Sequence, residues 1–312
     1  MNRFSKRFVK TFISLLFIVL FIVLTIMFLD VRNIRVAAKQ LIQNPLWLFI
    51  MLFLYFLSFC LKAVAWERYL RGRVSFLTCL LGILYSLFIN HLSPIKIGDF
   101  VRAEILYKRE KLIKREEAFH SVLVLRALDM MCLIGIAIVG LFALDITYKI
   151  PTWLILGGVF FATLTLYIVR RYFASFLNRQ IALIKGSLFG INGLVIFLAT
   201  LLSWVLETGV LYGTVHILKG EATFLELVFV NSLTIAGQIF QVTPGGIANY
   251  ESVMIFGLGI IGIKLNTGYT IAVINHAIKF FFSYLVGMFC LVIHPIYIKT
   301  VKNYTKLRGV KE

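Results

Sequence analysis

Arg126 and Asp129 stand three positions apart inside an apolar run, 118–144. At that spacing they share one face of a helix, and charges at bilayer depth are expensive unless they are paired or wetted. The pair has two readings. It neutralises itself and locks a helix bundle, or Arg126 faces a cavity and meets a phosphate while Asp129 orients it. His276 and Lys279 repeat the spacing 150 positions further on, with His276 either a packing histidine or a second ligand to the same cavity. Arg102 lies on a short segment whose Ile97, Val101 and Ile105 form an apolar stripe. Its guanidinium can fork two phosphate oxygens, or snorkel to an interface. Glu207, deep in 191–217, and Glu251 are candidate proton-coupling carboxylates, since burial raises a carboxyl pKa towards neutrality. Either can equally be a hydrogen-bonded brace, which is the reading favoured for Glu251.

Two helix breaks lie beside these residues. Ser93-Pro94 is followed by Gly98-Asp99, and Thr243-Pro244 by Gly245, Gly246 and then Glu251. Proline cannot donate an N–H and glycine weakens a helix, so each break leaves backbone groups without helical partners. In hydrocarbon such groups are tolerated only against protein or a wet cavity. The side-chain amides of Asn90, Gln238 and Gln241 flank the breaks and are placed to satisfy the freed backbone.

The elements that must position these residues are membrane helices. Of 312 residues, 60% are hydrophobic and 15% charged, against about 25% charged in soluble chains. Apolar segments occur at 11–29, 45–66, 76–94, 118–144, 151–170, 191–217, 224–243, 250–263 and 268–293. The first is read as an uncleaved helix, because it is too long for a signal peptide and lacks a small-residue cleavage site. The formal net charge of +18 marks cytoplasmic flanks, not a nucleic-acid surface, since no polar stretch is long enough to fold into a basic domain. If all nine segments crossed from a cytoplasmic N-terminus, most Lys and Arg would lie outside. If 76–94 dips in and returns through 97–107, the basic flanks 1–10, 62–75, 95–117, 170–187 and 294–312 all become cytoplasmic. The positive-inside rule selects this re-entrant arrangement. Charge does not decide whether 224–263 spans twice or also dips.

Symmetry bears on that choice. The two breaks are 150 residues apart, and the segments starting near 45 and 118 answer those near 194 and 268. Three crossings per half, an odd number, would invert the second half relative to the first. This is the plan of secondary transporters, whose sites lie where broken helices meet. One hairpin would then open to the cytoplasm and the other outside.

These same residues resemble a known family. Pro94-Ile95-Lys96-Ile97-Gly98-Asp99-Phe100-Val101-Arg102 resembles the P-x-x-x-G-E-x-x-R element of the lysylphosphatidylglycerol synthase transmembrane, or flippase-like, family. Thr243-Pro244-Gly245-Gly246-Ile247 with Glu251 is similar to its T-P-G-G-x-G-x-x-E element, and Arg126-Ala127-Leu128-Asp129 to its E-R-x-x-D. Asp99 replaces the usual Glu, Leu125 replaces the Glu before the arginine, and Ala248 replaces a glycine. In longer members a soluble domain aminoacylates phosphatidylglycerol and the transmembrane part moves the product. The resemblance implies for this chain a stand-alone lipid-handling module without that domain.

The sequence therefore predicts an all-α polytopic membrane protein of about six full spans plus two re-entrant or broken-helix hairpins in an inverted repeat. It reads as a single domain over 1–312, with halves near 1–145 and 146–300. The expected function is movement of an anionic phospholipid or lipid-linked phosphate between leaflets of a bacterial or archaeal plasma membrane, with both termini cytoplasmic. The alternative is a non-transporting partner that presents a lipid to a separate glycosyl- or aminoacyl-transferase. Expected substrate-binding residues are Arg102, Arg126, Asp129, Gly245, Gly246, Glu251 and His276. Pro94, Gly98, Asp99, Thr243 and Pro244 form the breaks. The sequence contains none of H-E-x-x-H, G-x-S-x-G or G-x-x-x-x-G-K-[ST], so no catalytic residue, metal or cofactor is expected. Cys60, Cys79, Cys132 and Cys290 have no paired spacing.

Overall fold

The computed structural model describes residues 31–93, 96–144, 190–238 and 243–293, together with isolated positions 167, 171 and 188. The expected spans at 11–29 and 151–170, as well as Pro94 and Gln241, lie outside the described residues. Within them the chain is helical, with no strand: α1 (Val31–Gln43), α2 (Pro45–Tyr69), α3 (Phe76–Leu92), α4 (Gly98–Arg109), α5 (Arg115–Ala143), α6 (Gly190–Ile217), α7 (Phe224–Gly237), α8 (Asn249–Ile260) and α9 (Leu265–Ile293). A 3-10 turn, Pro244–Gly246, lies between α7 and α8.

Helices α2, α5, α6 and α9 have 25 to 29 residues and are apolar enough to cross a bilayer. Their outward faces carry large hydrophobic side chains such as Phe49, Met131, Phe142, Leu198, Phe281 and Val292. A soluble protein hides such surfaces, whereas lipid tails accept them. The chain is an integral membrane protein. The other apolar helices are too short to cross. At 1.5 Å per residue, the 17 residues of α3 reach roughly 25 Å and the 14 of α7 roughly 21 Å, against a hydrocarbon core of about 30 Å. Their return legs α4 and α8 have 12 residues each. In each pair the two legs pack on each other, α3 on α4 and α7 on α8.

The packing is arranged in matched pairs. The most extensive contact is α2 against α6, the two segments that correspond across the repeat. Helix α5 packs on α7 while α9 packs on α3, so the last long helix of each half covers the other half's first hairpin leg. Likewise α4 lies on α5 as α8 lies on α9. Exchanging the halves leaves this set of contacts unchanged, as a twofold relation requires.

Two features differ from the sequence reading. Helix α1 was not foreseen; it buries Ala37 and Leu41 and exposes Arg32, Arg35 and Lys39, the division expected of a helix lying along an interface. The sequence places Lys62 in the cytoplasmic flank 62–75, yet α2 continues to Tyr69 and carries Lys62 into the bundle. The four residues after it, Ala63-Val64-Ala65-Trp66, keep the helix apolar long enough to do so.

Candidate functional site

The first hairpin is fastened at both ends. At its base Ser75 caps α3 by accepting from the Thr78 N–H at 3.2 Å. The Ser75 N–H and hydroxyl both donate to the carboxylate of Glu110, at 3.2 and 3.1 Å, which joins the start of α3 to the end of α4. At its tip the Gly98 N–H donates to Asn90 Oδ1 at 2.8 Å. The amide of Asn90 thus satisfies the freed backbone as its position in the sequence suggested. A Cβ on Gly98 would collide with the Ser86 carbonyl oxygen, so glycine is required for the legs to lie this close.

The second hairpin turns through left-handed backbone. Gly245 and Gly246 have φ of +65° and +77°, and Ala248 has φ +74°. Only glycine adopts such values without strain, which gives a physical reason for the glycine that the family places where this chain has Ala248. Thr243 donates its hydroxyl to the Ile247 carbonyl at 2.6 Å, and the Gly246 N–H donates back to the Thr243 carbonyl at 3.0 Å. The Asn249 amide donates to the Gly237 carbonyl at 3.2 Å, tying the turn to the end of α7. The space where a Gly245 side chain would project is filled by the ring of Phe280.

The two hairpins meet. The Pro244–Gly246 turn packs against α3, and His91, in the last turn of α3, lies 4.5 Å from Phe280 and 6.3 Å from His276, ring centre to ring centre.

Each hairpin is also latched to the long helix that follows it. Arg126 Nε on α5 donates to Asp99 Oδ2 on α4 at 2.9 Å. His276 Nδ1 on α9 lies 2.7 Å from Glu251 Oε1 on α8. The two latches occupy corresponding places in the two halves. Glu251 is 5% exposed, and its second oxygen accepts the Ala248 N–H at 2.7 Å. Both oxygens are engaged within the protein. The ring of His276 is stacked on Tyr250, 4.2 Å between centres.

Asp99, not Asp129, is therefore the nearer partner of Arg126. The Arg126–Asp129 contact is 3.8 Å, and Asp129 accepts from the Trp204 indole N–H at 3.1 Å. Arg102 lies 3.3 Å from Asp99, donates to the Val122 carbonyl at 3.2 Å and sits over the Trp66 ring. It is 7% exposed, its guanidinium enclosed by protein.

Beyond Trp204 the chain of charges continues into the other half. The ammonium of Lys62 lies 3.3 Å from the centre of a Trp204 ring and 3.2 Å from Glu207 Oε2. Lys279 donates to Glu207 Oε1 at 2.8 Å and to Asn231 Oδ1 at 3.3 Å. From Asp99 through Arg126, Asp129, Trp204, Lys62 and Glu207 to Lys279, one line of polar contacts crosses α4, α5, α6, α2 and α9. Its first part is balanced, two arginines with two aspartates. Its second part is not, because two ammonium groups share one carboxylate.

Sequence reasoning singled out Arg102, Arg126, Asp129, Glu207, Glu251, His276 and Lys279, and the structure adds Asp99 as a charge partner of Arg102 and Arg126. It missed Lys62, Trp204 and Asn231. Lys62 had a signal, an apolar stretch resuming directly after it; Trp204 and Asn231 had none, because an indole or amide in an apolar helix looks like packing. Gly245 and Gly246 shape the turn and contact Phe280 and Gln238. Among the described residues no group of three or more His, Cys, Asp or Glu is placed to hold a metal ion.

Comparison with known proteins agrees with the motifs these latches are built from. No curated protein and no solved structure matches the sequence. The family described as "Lysylphosphatidylglycerol synthase TM region" matches residues 11–287, a span containing both hairpins and every residue of the charged line. The chain belongs to that family.

Proposed function

We propose that this protein moves an anionic phospholipid or a lipid-linked phosphate between the leaflets of a prokaryotic plasma membrane, with both termini in the cytoplasm. The observation that carries the reading is the line of buried charges beside the meeting point of the two hairpins, ending in more cations than anions. Buried charges are costly, and in membrane helices they mark substrate or ion paths by default. A surplus ammonium group in such a place favours an anionic visitor. Two halves packed by exchange, each with a short hairpin latched to a long helix, supply paired elements of the kind that alternating access uses. Membership of a lipid-associated family agrees with this chemistry. The basic flanks would concentrate anionic headgroups at the cytoplasmic face, at about 1 kcal/mol per Lys or Arg.

The test is reconstitution of the purified full chain into vesicles carrying a fluorescent phosphatidylglycerol in one leaflet. Protein-dependent loss of the asymmetry supports transport. Asymmetry that persists despite correct insertion would leave the chain as a lipid-presenting partner for a separate transferase.

A further inference from the structure

We infer that Lys62 is a phosphate-capturing residue held in reserve by Glu207, and that with Arg126 it forms a two-cation clamp walled by Trp204. The inference rests on the lipid-handling reading above and names the groups that would grip the headgroup.

Three observations point to Lys62. First, Glu207 has two ammonium partners, at 3.2 Å from Lys62 and 2.8 Å from Lys279, and needs only one to be neutralised. One of the lysines is surplus to the structure. Second, the two are not equally enclosed. The side chain of Lys279 is 3% exposed and that of Glu207 5%, whereas Lys62 is 14% exposed. Lys279 also has a second acceptor in Asn231. Lys279 is therefore the resident counter-ion, and Lys62 is the one on the accessible edge. Third, Lys62 lies next to the other cation of the line that is open to a visitor. Its ammonium rests on the Trp204 ring, the same indole donates to Asp129, and Asp129 borders Arg126, whose side chain is 29% exposed.

Chemistry fixes the class of occupant. A guanidinium presents a planar fork and an ammonium a compact charge with three donors, so together they suit a tetrahedral phosphate better than a planar carboxylate. Arg126 keeps Asp99 as its partner while its outer N–H groups reach the anion. Lys62 needs only to rotate its side chain from Glu207, and the carboxylate it leaves stays neutralised by Lys279. No buried charge is stranded at any stage, which is the condition for such a movement at bilayer depth. The face of Trp204 stabilises the ammonium by cation–π attraction in both positions.

The experiment compares unaltered full-length protein with Lys62→Gln in two assays. One is the thermal midpoint in detergent, alone and with added phosphatidylglycerol or inorganic phosphate. The other is fluorescent phosphatidylglycerol flux in vesicles. A structural counter-ion would lower the lipid-free midpoint when lost. A surplus cation would not, so Lys62→Gln is expected to match or exceed the unaltered midpoint. It is also expected to lose the phosphatidylglycerol-dependent rise, and to cut flux on the order of tenfold or more, as for loss of one charge-assisted hydrogen bond. A lowered lipid-free midpoint, or unchanged lipid stabilisation and flux, overturns the inference. Stabilisation by inorganic phosphate but not by phosphatidylglycerol overturns the lipid as the source of the phosphate. If the unaltered protein moves no lipid, transport fails, but loss of lipid stabilisation in Lys62→Gln still supports the clamp.

Discussion

Replacing Glu207 with glutamine asks the bundle to hold two ammonium groups without their carboxylate. Glu207 is 4% exposed, and its two oxygens each serve one lysine, at 3.2 and 2.8 Å. The amide keeps the shape and can accept a hydrogen bond through its oxygen, but it carries no charge. Removing one partner of a buried ion pair costs about 3–5 kcal/mol, because the other charge is left uncompensated. The cost does not double, since Lys279 retains Asn231 as an acceptor. At about 2–4 °C per kcal/mol for a domain of this order, the thermal midpoint should fall by roughly 6–20 °C. The assay is midpoint in a mild detergent, followed by the tryptophan signal and by aggregation. Adding Lys62→Gln to Glu207→Gln should recover part of the loss, because a single stranded ammonium remains on Lys279. A Glu207→Gln midpoint within about 2 °C of the unaltered protein would refute the reasoning. It would mean that Glu207 does not hold the two ammonium groups by charge.

Three further outcomes follow from the hairpins and the topology. Gly98→Ala should lower the midpoint by about 1–3 kcal/mol-equivalents of overpacking, since its Cβ meets the backbone carbonyl of Ser86; an unchanged midpoint would show that the legs separate freely. Ala248→Gly should raise the midpoint by up to about 1 kcal/mol-equivalent by relieving φ +74°, against the flexibility glycine adds to the unfolded chain; a loss of stability would place the strain elsewhere. Lys111→Cys, exposed between α4 and α5, should react with an impermeant thiol reagent only after the cells are opened; labelling of intact cells would overturn the proposed topology.

How much the sequence disclosed depended on whether a residue's task was local. The long helices were legible because a bilayer sets their length, and α2, α5, α6 and α9 end within a few residues of the apolar runs that announced them. The hairpins were legible because proline, glycine and flanking amides perform a local duty, as when Asn90 receives the Gly98 N–H. Charge pairing was harder. The i,i+3 spacing of Arg126 and Asp129 pointed to each other, yet Arg126 reaches back 27 positions to Asp99. That choice is made by how α4 docks on α5. Lys62 was misplaced for a related reason. Near the end of a run a lysine can mark the interface or turn inward, and the partner that decides, Glu207, is 145 residues away.

The two hairpin latches show what the repeat conserves and what it alters. In each half an acidic residue early in the return leg is held by a basic residue on the following long helix, Asp99 by Arg126 and Glu251 by His276. The chemistry differs between them. Asp99 is shared by two guanidinium groups, Arg102 and Arg126, which stay charged at any pH a cell meets. Glu251 is divided between His276 and its own hairpin backbone at Ala248. An imidazole can donate from Nδ1 whether or not its Nε2 carries a proton, so this second latch does not need a formal charge to close. The first is an ion-pair latch near the charged line; the second is a hydrogen-bonded latch enclosed by Tyr250 and Phe280. For a carrier that alternates between faces, identical latches would favour neither face. Unequal ones bias the resting population towards the face whose latch opens at lower cost, and a ligand shifts that bias only by binding one arrangement better than the other. On the clamp proposed above, an anion would meet the outer N–H groups of Arg126 while the Nε contact to Asp99 stays made. For such a carrier, the asymmetry of the two latches gives an anion at Arg126 different contacts with the two hairpins.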